Sequence, residues 1–115
     1  MSAQTAVELV NSVRLVGRIS AAPEEKTLPS GSMISNFRVV IDRPPGHGSE
    51  QRVDALDCTA WTSRVRRSTR SWRKGDVVEV EGAMRRRFFG TVTGRASRVE
   101  VEVSAARMVR RAPSA

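Results

Sequence analysis

The chain has 115 residues, the size of one domain and too short for two separate cores. Its 20 Lys and Arg outnumber 12 Asp and Glu, giving a formal net charge of +8 and a pI near 11.5, a balance that favours a polyanionic partner. One Cys (Cys58) and one His (His47) build neither an intrachain disulfide nor a zinc site, and no apolar run approaches the ~20 residues of a membrane span, so no metal, cofactor or membrane insertion is expected.

The first strand is expected over residues 11–19, where Val13, Leu15 and Ile19 alternate with Arg14, Val16 and Arg18. Pro23, Pro29 and Ser30-Gly31-Ser32 punctuate the next stretch, which reads as a turn with a short extended piece. A longer strand covers 33–42, with Phe37, Val39 and Ile41 on its core face. Residues 43–50, with two prolines and two glycines, form an exposed hairpin finger in which His47 is solvent-facing. Alternation returns over 52–61, placing Leu56, Cys58 and Ala60 on one face and Ala55, Asp57, Thr59 and Trp61 on the other.

Between 62 and 74 the period changes. Val65, Thr69 and Trp72 fall at i, i+4 and i+7, and five arginines surround that stripe, so one short amphipathic helix with a solvated basic face is expected to end at Gly75. A fourth strand starts near Val77 and runs through Arg85-Arg-Arg-Phe-Phe89. After a turn over 90–94, a fifth has Val99, Val101 and Val103 inward with Glu100 and Glu102 outward. Three strands, a helix and two strands is the order of an all-β, five-stranded Greek-key OB-fold barrel with one short α-helix between strands 3 and 4; a helix-free sandwich is the structural competitor. The domain is placed at 11–108, between a flexible extension over 1–10 and a flexible end over 109–115.

Asn11-Ser-Val-Arg-Leu-Val-Gly-Arg18, Leu28-Pro-Ser-Gly31, Ser35-Asn-Phe-Arg-Val39, Trp72-Arg-Lys-Gly-Asp76 and Val78-Glu-Val-Glu-Gly82 occur in the order in which similar segments occur in bacterial single-stranded DNA-binding proteins. Each piece is weak alone; the five in register make the chain resemble that family over nearly all of the domain. The resemblance implies a homotetramer, with a dimer as fallback, that binds single-stranded DNA with little sequence preference in replication, recombination or repair. It further implies a cytoplasmic, nucleoid-associated protein whose subunits pair through the first strand at Asn11, Val13 and Leu15.

A protein that holds any single strand needs cations along the phosphates and flat rings under the bases, since every base offers a π-face. Eighteen of the 20 cations are Arg, which forks onto phosphate and also lies flat on a base. By resemblance, Trp61 and Phe89 match stacking positions, while Pro45 and Ala55 stand where other stacking rings would be and Asp57 replaces a cation. Arg18, Arg38, Arg43, Arg52, Arg85 and Arg87 are the expected phosphate contacts, with Arg86 turned to the opposite face. Losing two platforms at ~1–3 kcal/mol per base predicts binding weaker and more salt-sensitive than the family norm unless arginines compensate. Phe37, Trp72 and Cys58 read as core residues.

Family members commonly end in an acidic, hydrophobic tip that docks repair enzymes. This sequence stops at Arg110-Arg-Ala-Pro-Ser-Ala115, so tail-mediated docking is in doubt and the chain reads as a short paralogue or a trimmed one. Three rivals stay open. A primosomal replication protein-like dimer docking a helicase keeps the fold, as does an RNA-binding module of the same barrel. A barrel nuclease needs clustered carboxylates, whereas Asp54, Asp57, Asp76, Glu79 and Glu81 are scattered, so no enzyme is expected.

Overall fold

The computed structural model describes residues 6–46 and 48–113. The strands are β1 (Val13–Ile19), β2 (Glu24–Thr27), β3 (Met33–Asp42), β4 (Val53–Ala60), β5 (Val77–Thr91) and β6 (Gly94–Arg110), with helix α1 (Ser63–Thr69) between β4 and β5. They form one sheet in the order β1-β5-β6-β4-β3-β2, and β1 returns to β3, closing the sheet into a barrel. This is the expected OB fold, with six strands rather than five.

The extra strand comes from a break in the first. β1 meets β3 at Arg18↔Val40 and Ile19↔Val39, and β2 continues along the same edge at Glu24↔Asn36 with its register shifted. Pro23, which has no N–H to donate, lies at the break, so one long bent strand becomes two.

The core is filled by alternating side chains: Ile19, Phe37, Val39, Cys58, Ala60, Val78, Val80, Val101 and Val103 are buried, with Val13, Leu15 and Ile41 packed around them. The stripe of α1 closes one end, since Val65, Thr69 and Trp72 are all buried and Trp72 meets Phe37 edge-on at 5.3 Å and 83°. Thr62 caps the helix, its hydroxyl accepting from Val65 N at 3.3 Å.

The helix stops at Thr69, six residues before the end expected at Gly75. Thr69 Oγ1 turns back to Arg66 O (2.8 Å) and sits 3.0 Å from Ser35 Oγ. The next turn is held from below by the buried Asp76, whose carboxylate accepts from Arg73 N (2.8 Å), while Gly75 supplies the left-handed φ of 89° that the exit demands.

β5 and β6 exceed the barrel. Residues 85–91 and 94–100 pair with each other as a two-stranded ribbon ending at Thr91↔Gly94, so the turn is tighter than the five residues expected. Val101 and Val103 are buried as expected, but Val99 is 41% exposed because it lies on this ribbon, beyond the core. At the other end β6 runs to Arg110, past the boundary expected at 108, and Ala112 N (2.8 Å) and Arg111 Nη1 (3.0 Å) both donate to Asp76.

Candidate nucleic-acid interface

Strand alternation and register assemble the site. Opposed residues in a pair share a face, so Arg38↔Asp57, Asn36↔Thr59, Arg85↔Glu100 and Arg87↔Arg98 all lie on the outer side of the barrel sheet and its ribbon. Phe89, two residues beyond Arg87, falls on the same side of the ribbon, and Trp61 continues the Asp57, Thr59 row just past the end of β4. Trp61, Phe89, Arg38, Arg85 and Arg87 thus lie on the outer side, as does Arg18 through its pairing with Val40. Arg86 faces the other way and reaches Ser97 Oγ at 3.1 Å.

Carboxylates already hold most of these arginines. Arg38 Nε donates to Asp57 (2.9 Å), Arg85 Nε to Glu102 (2.8 Å), and Arg87 Nε to Glu100, with Arg98 3.9 Å from the same carboxylate. Arg18 lies at the β1–β3 closure with Nη2 3.0 Å from Asp42, whose hydrogen bond and charge raise the arginine's pKa. Arg43, at the base of the β3–β4 loop, donates to Asp54 from Nε (3.0 Å) and Nη2 (2.8 Å). Of the six predicted phosphate contacts only Arg52 has no ion pair among the described residues; it is exposed beside Arg43, whose N–H bonds to its carbonyl at 2.9 Å. His47 lies outside the described residues.

Trp61 is half-buried. Arg87 Cζ lies 5.1 Å from its ring centroid, so one face of the indole carries a guanidinium, and Trp61 Nε1 is buried with no hydrogen-bond partner among the described residues. Glu100 anchors this arrangement. It points outward as expected, yet it is only 5% exposed, roofed by Arg87 and Arg98 and accepting from Thr59 Oγ1 at 2.7 Å. Sequence reasoning missed Glu100 as part of the site; the hairpin register, which sets it opposite Arg85, is the signal that would have found it. Phe88 is 65% exposed and Phe89 48%, both near the ribbon tip.

Beside this surface a groove is lined by Lys26, Asn36, Arg38, Thr59 and Arg98. Cys58 lies beneath it, its thiol pushed up to about 12 by burial, with the Asp57 and Glu100 charges adding to the shift. Among the described residues, no group of three or more His, Cys, Asp or Glu side chains is arranged to hold a metal ion, and no helix is long and apolar enough to cross a membrane.

Of the expected interface residues, Val13 and Leu15 are half-buried and pack inward against the barrel's own core. Asn11 extends the β1–β5 ladder by side chain, its Nδ2 donating to Met84 O and its Oδ1 accepting from Met84 N, both at 2.8 Å. What β1 leaves open is main chain: one edge is covered by β5 from Val13 to Arg18, while the other meets β3 only at Arg18 and Ile19.

A family model described as the single-strand binding protein family matches residues 10–110. The chain belongs to this family. Relatives include single-stranded DNA-binding proteins of Mycolicibacterium smegmatis (32% identical over 97 residues, 79% of this chain and 59% of the relative) and Halalkalibacterium halodurans (28% over 88 residues, 76% and 52%). Single-stranded DNA-binding protein A of Bacillus subtilis is 25% identical over 87 residues, 75% of this chain and 51% of the relative. The chain spans about half the length of these family members, and the match covers the whole barrel.

Proposed function

We propose that this barrel binds single-stranded DNA with little sequence preference and without catalysis, covering strands exposed in replication, recombination or repair. The observation that carries the reading is the outer side of the sheet that Trp61, Phe89, Arg38, Arg85 and Arg87 share, with Arg87 seated over the Trp61 ring. Bases stack on the open face of Trp61 and on Phe89, and phosphates are taken by the arginines, with Arg18, Arg43 and Arg52 extending the track toward the β3–β4 loop. Because five of the six arginines start out paired to carboxylates, each phosphate contact is an exchange of one anion for another. The net gain per contact is therefore smaller than for a free cation, which agrees with the weaker binding anticipated from the missing rings.

The free main-chain edge of β1 supports assembly of like subunits, with Asn11 holding the start of that strand in line; a tetramer is the family expectation and a dimer the alternative. On this reading the protein works in the cytoplasm, with the nucleoid. The experiment is titration of a fluorescent thymidine oligonucleotide at low and moderate salt, with duplex and RNA controls and with sedimentation to count subunits. Binding to the single strand that is weakened by salt and quenches tryptophan emission is expected. Equal or better binding to duplex, or no binding at low salt, overturns the reading; preference for RNA transfers it to the RNA-binding form of the barrel.

A further inference from the structure

The cations of this protein fall into two populations. Arg38, Arg85 and Arg87 on the outer sheet surface are paired, as described above, whereas residues 62–75 carry six cations and no carboxylate. Within that segment Arg64, Arg67, Arg73 and Lys74 are exposed and have no ion pair among the described residues. A solvated face needs no more structure than this, but the end of the segment is built into a cleft.

The cleft is lined by Arg70, Ser71, Arg73, Lys74, Asp76 and Arg111. Buried Asp76 shapes it by accepting from Arg73 N and Ala112 N, which draws the end of β6 against the turn after α1. Arg111 is fixed there by three further bonds, from Nη1 to Asp76 (3.0 Å) and to Ser71 O (2.7 Å), and from Nη2 to Ser71 Oγ (3.4 Å). Arg70 is held on the opposite rim by Glu25 at 2.6 Å. Four cations (Arg70, Arg73, Lys74, Arg111) less two carboxylates (Asp76, Glu25) leave an excess of two positive charges in one concave place. An anion entering it meets Arg73 and Lys74 without having to displace a carboxylate from them, unlike at the sheet surface.

The cleft is also on a continuous path from the stacking ring. Trp61 leads directly into the Thr62 cap, and Arg66 Nε donates to Trp61 O at 3.3 Å. At ~1.5 Å per residue, the helical stretch from Trp61 to Arg70 spans about 13 Å, with Arg64 and Arg67 exposed along it.

We propose that Arg70, Arg73, Lys74 and Arg111 form a second phosphate-binding site for single-stranded DNA, which takes the strand onward from Trp61 along α1. The proposal rests on the nucleic-acid reading of the sheet surface, and it extends the bound strand beyond that surface. A short strand fills the sheet surface alone; a longer one reaches the cleft.

The test uses the full chain and the double variant Arg73→Ala with Lys74→Ala, whose side chains make no hydrogen bond that the fold needs. Thymidine oligonucleotides of about 6 and about 30 nucleotides bracket the 4–16 nucleotides that one such barrel typically covers. The expected result is unchanged affinity and tryptophan quenching with the short strand. With the long strand, affinity falls roughly tenfold at low salt and the slope of log K against log salt drops by ~1.4, two phosphates at ~0.7 each. The charge-keeping pair Arg73→Lys with Lys74→Arg restores long-strand binding. Equal losses on both lengths, or no loss on the long one, overturn the proposal; the latter is the result if the cleft takes an acidic peptide, and displacement of labelled polyglutamate from it identifies that case. Failure of the unaltered protein to bind either strand is a different result, because it overturns the reading of the sheet surface itself.

Discussion

Arg87 and Trp61 form one unit: the guanidinium carbon lies 5.1 Å from the indole centroid while its Nε is tied to the buried Glu100. A cation over one face of the ring holds the indole in place before any base reaches it. Replacing Trp61 by Ala is expected to weaken single-strand binding by ~1–3 kcal/mol and to abolish most of the emission quench, since the other tryptophan, Trp72, is buried in the core. Arg87→Ala is expected to keep the quench and lose part of the affinity. A variant without Trp61 that still quenches fully on binding contradicts the assignment.

Asp57 occupies the guanidinium of Arg38 at 2.9 Å. Removing its charge while keeping its shape, by Asp57→Asn, frees Arg38 for phosphate and removes a repulsive charge from the path. Single-strand affinity is expected to rise several-fold at low salt and the salt slope to steepen by ~0.7. Unchanged or weaker binding in the same titration shows that this carboxylate does not compete with DNA.

Two carboxylates tie stability to pH. The N–H groups of Ala112 and Arg73, aided by Arg111, hold the Asp76 carboxyl below its ordinary value, and Arg14 followed by Arg107 does the same for Glu79. A folded-state pKa below the unfolded one means that the stabilisation is complete above the unfolded values, about 3.9 for Asp and 4.3 for Glu, and is lost as pH falls through the folded ones. Urea midpoints are therefore expected to be flat at neutral pH and to decline below about pH 4. Asp76→Asn should lower the neutral midpoint and flatten that decline; a decline as steep as the parent's excludes Asp76 as a source.

Burial keeps the Cys58 thiol protonated well above neutrality, at about 12, and only 2% exposed. Iodoacetamide at pH 8 is expected to leave the native protein unlabelled and to modify it completely in denaturant, because the thiolate is the reactive form. Rapid labelling of the native state would show that the barrel opens locally at β4.

Gly82 lies at the register shift between β5 and β6, where a Cβ would be driven into the Glu102 carbonyl. Gly82→Ala is expected to cost 1–3 kcal/mol or more by forcing the two backbones apart. Chemical denaturation measures it, and a neutral result means the bulge relaxes freely.

Much of this was legible in the sequence because alternation fixes which side chains point inward. Phe37, Cys58, Val78 and Val80 lie in the core as the period predicts, and Val65, Thr69 and Trp72 keep their i, i+4, i+7 stripe although the helix is shorter than expected. The errors come from tertiary contacts that no local pattern reports. Asp76 reaches back to the main chain of Arg73 across the turn that follows α1. Glu100 alternates like a surface residue, yet Arg87, on the neighbouring strand, covers it. The set of candidate arginines was readable from charge; their existing partners, Asp42, Asp54, Asp57, Glu100 and Glu102, depended on register.

The ribbon of β5 and β6 gives the two aromatic positions different mechanical characters. Trp61 sits beside the helix cap, braced by Arg87, and behaves as a fixed jaw. Phe89 stands two residues, about 7 Å at ~3.3 Å per residue, beyond Arg87, through which the ribbon itself is tied to Trp61 and Glu100. If both rings stack on bases as proposed, the strand is gripped between a fixed jaw and a ring close to the ribbon tip, so tolerance of sequence would come from the tip's freedom to tilt rather than from a shaped pocket.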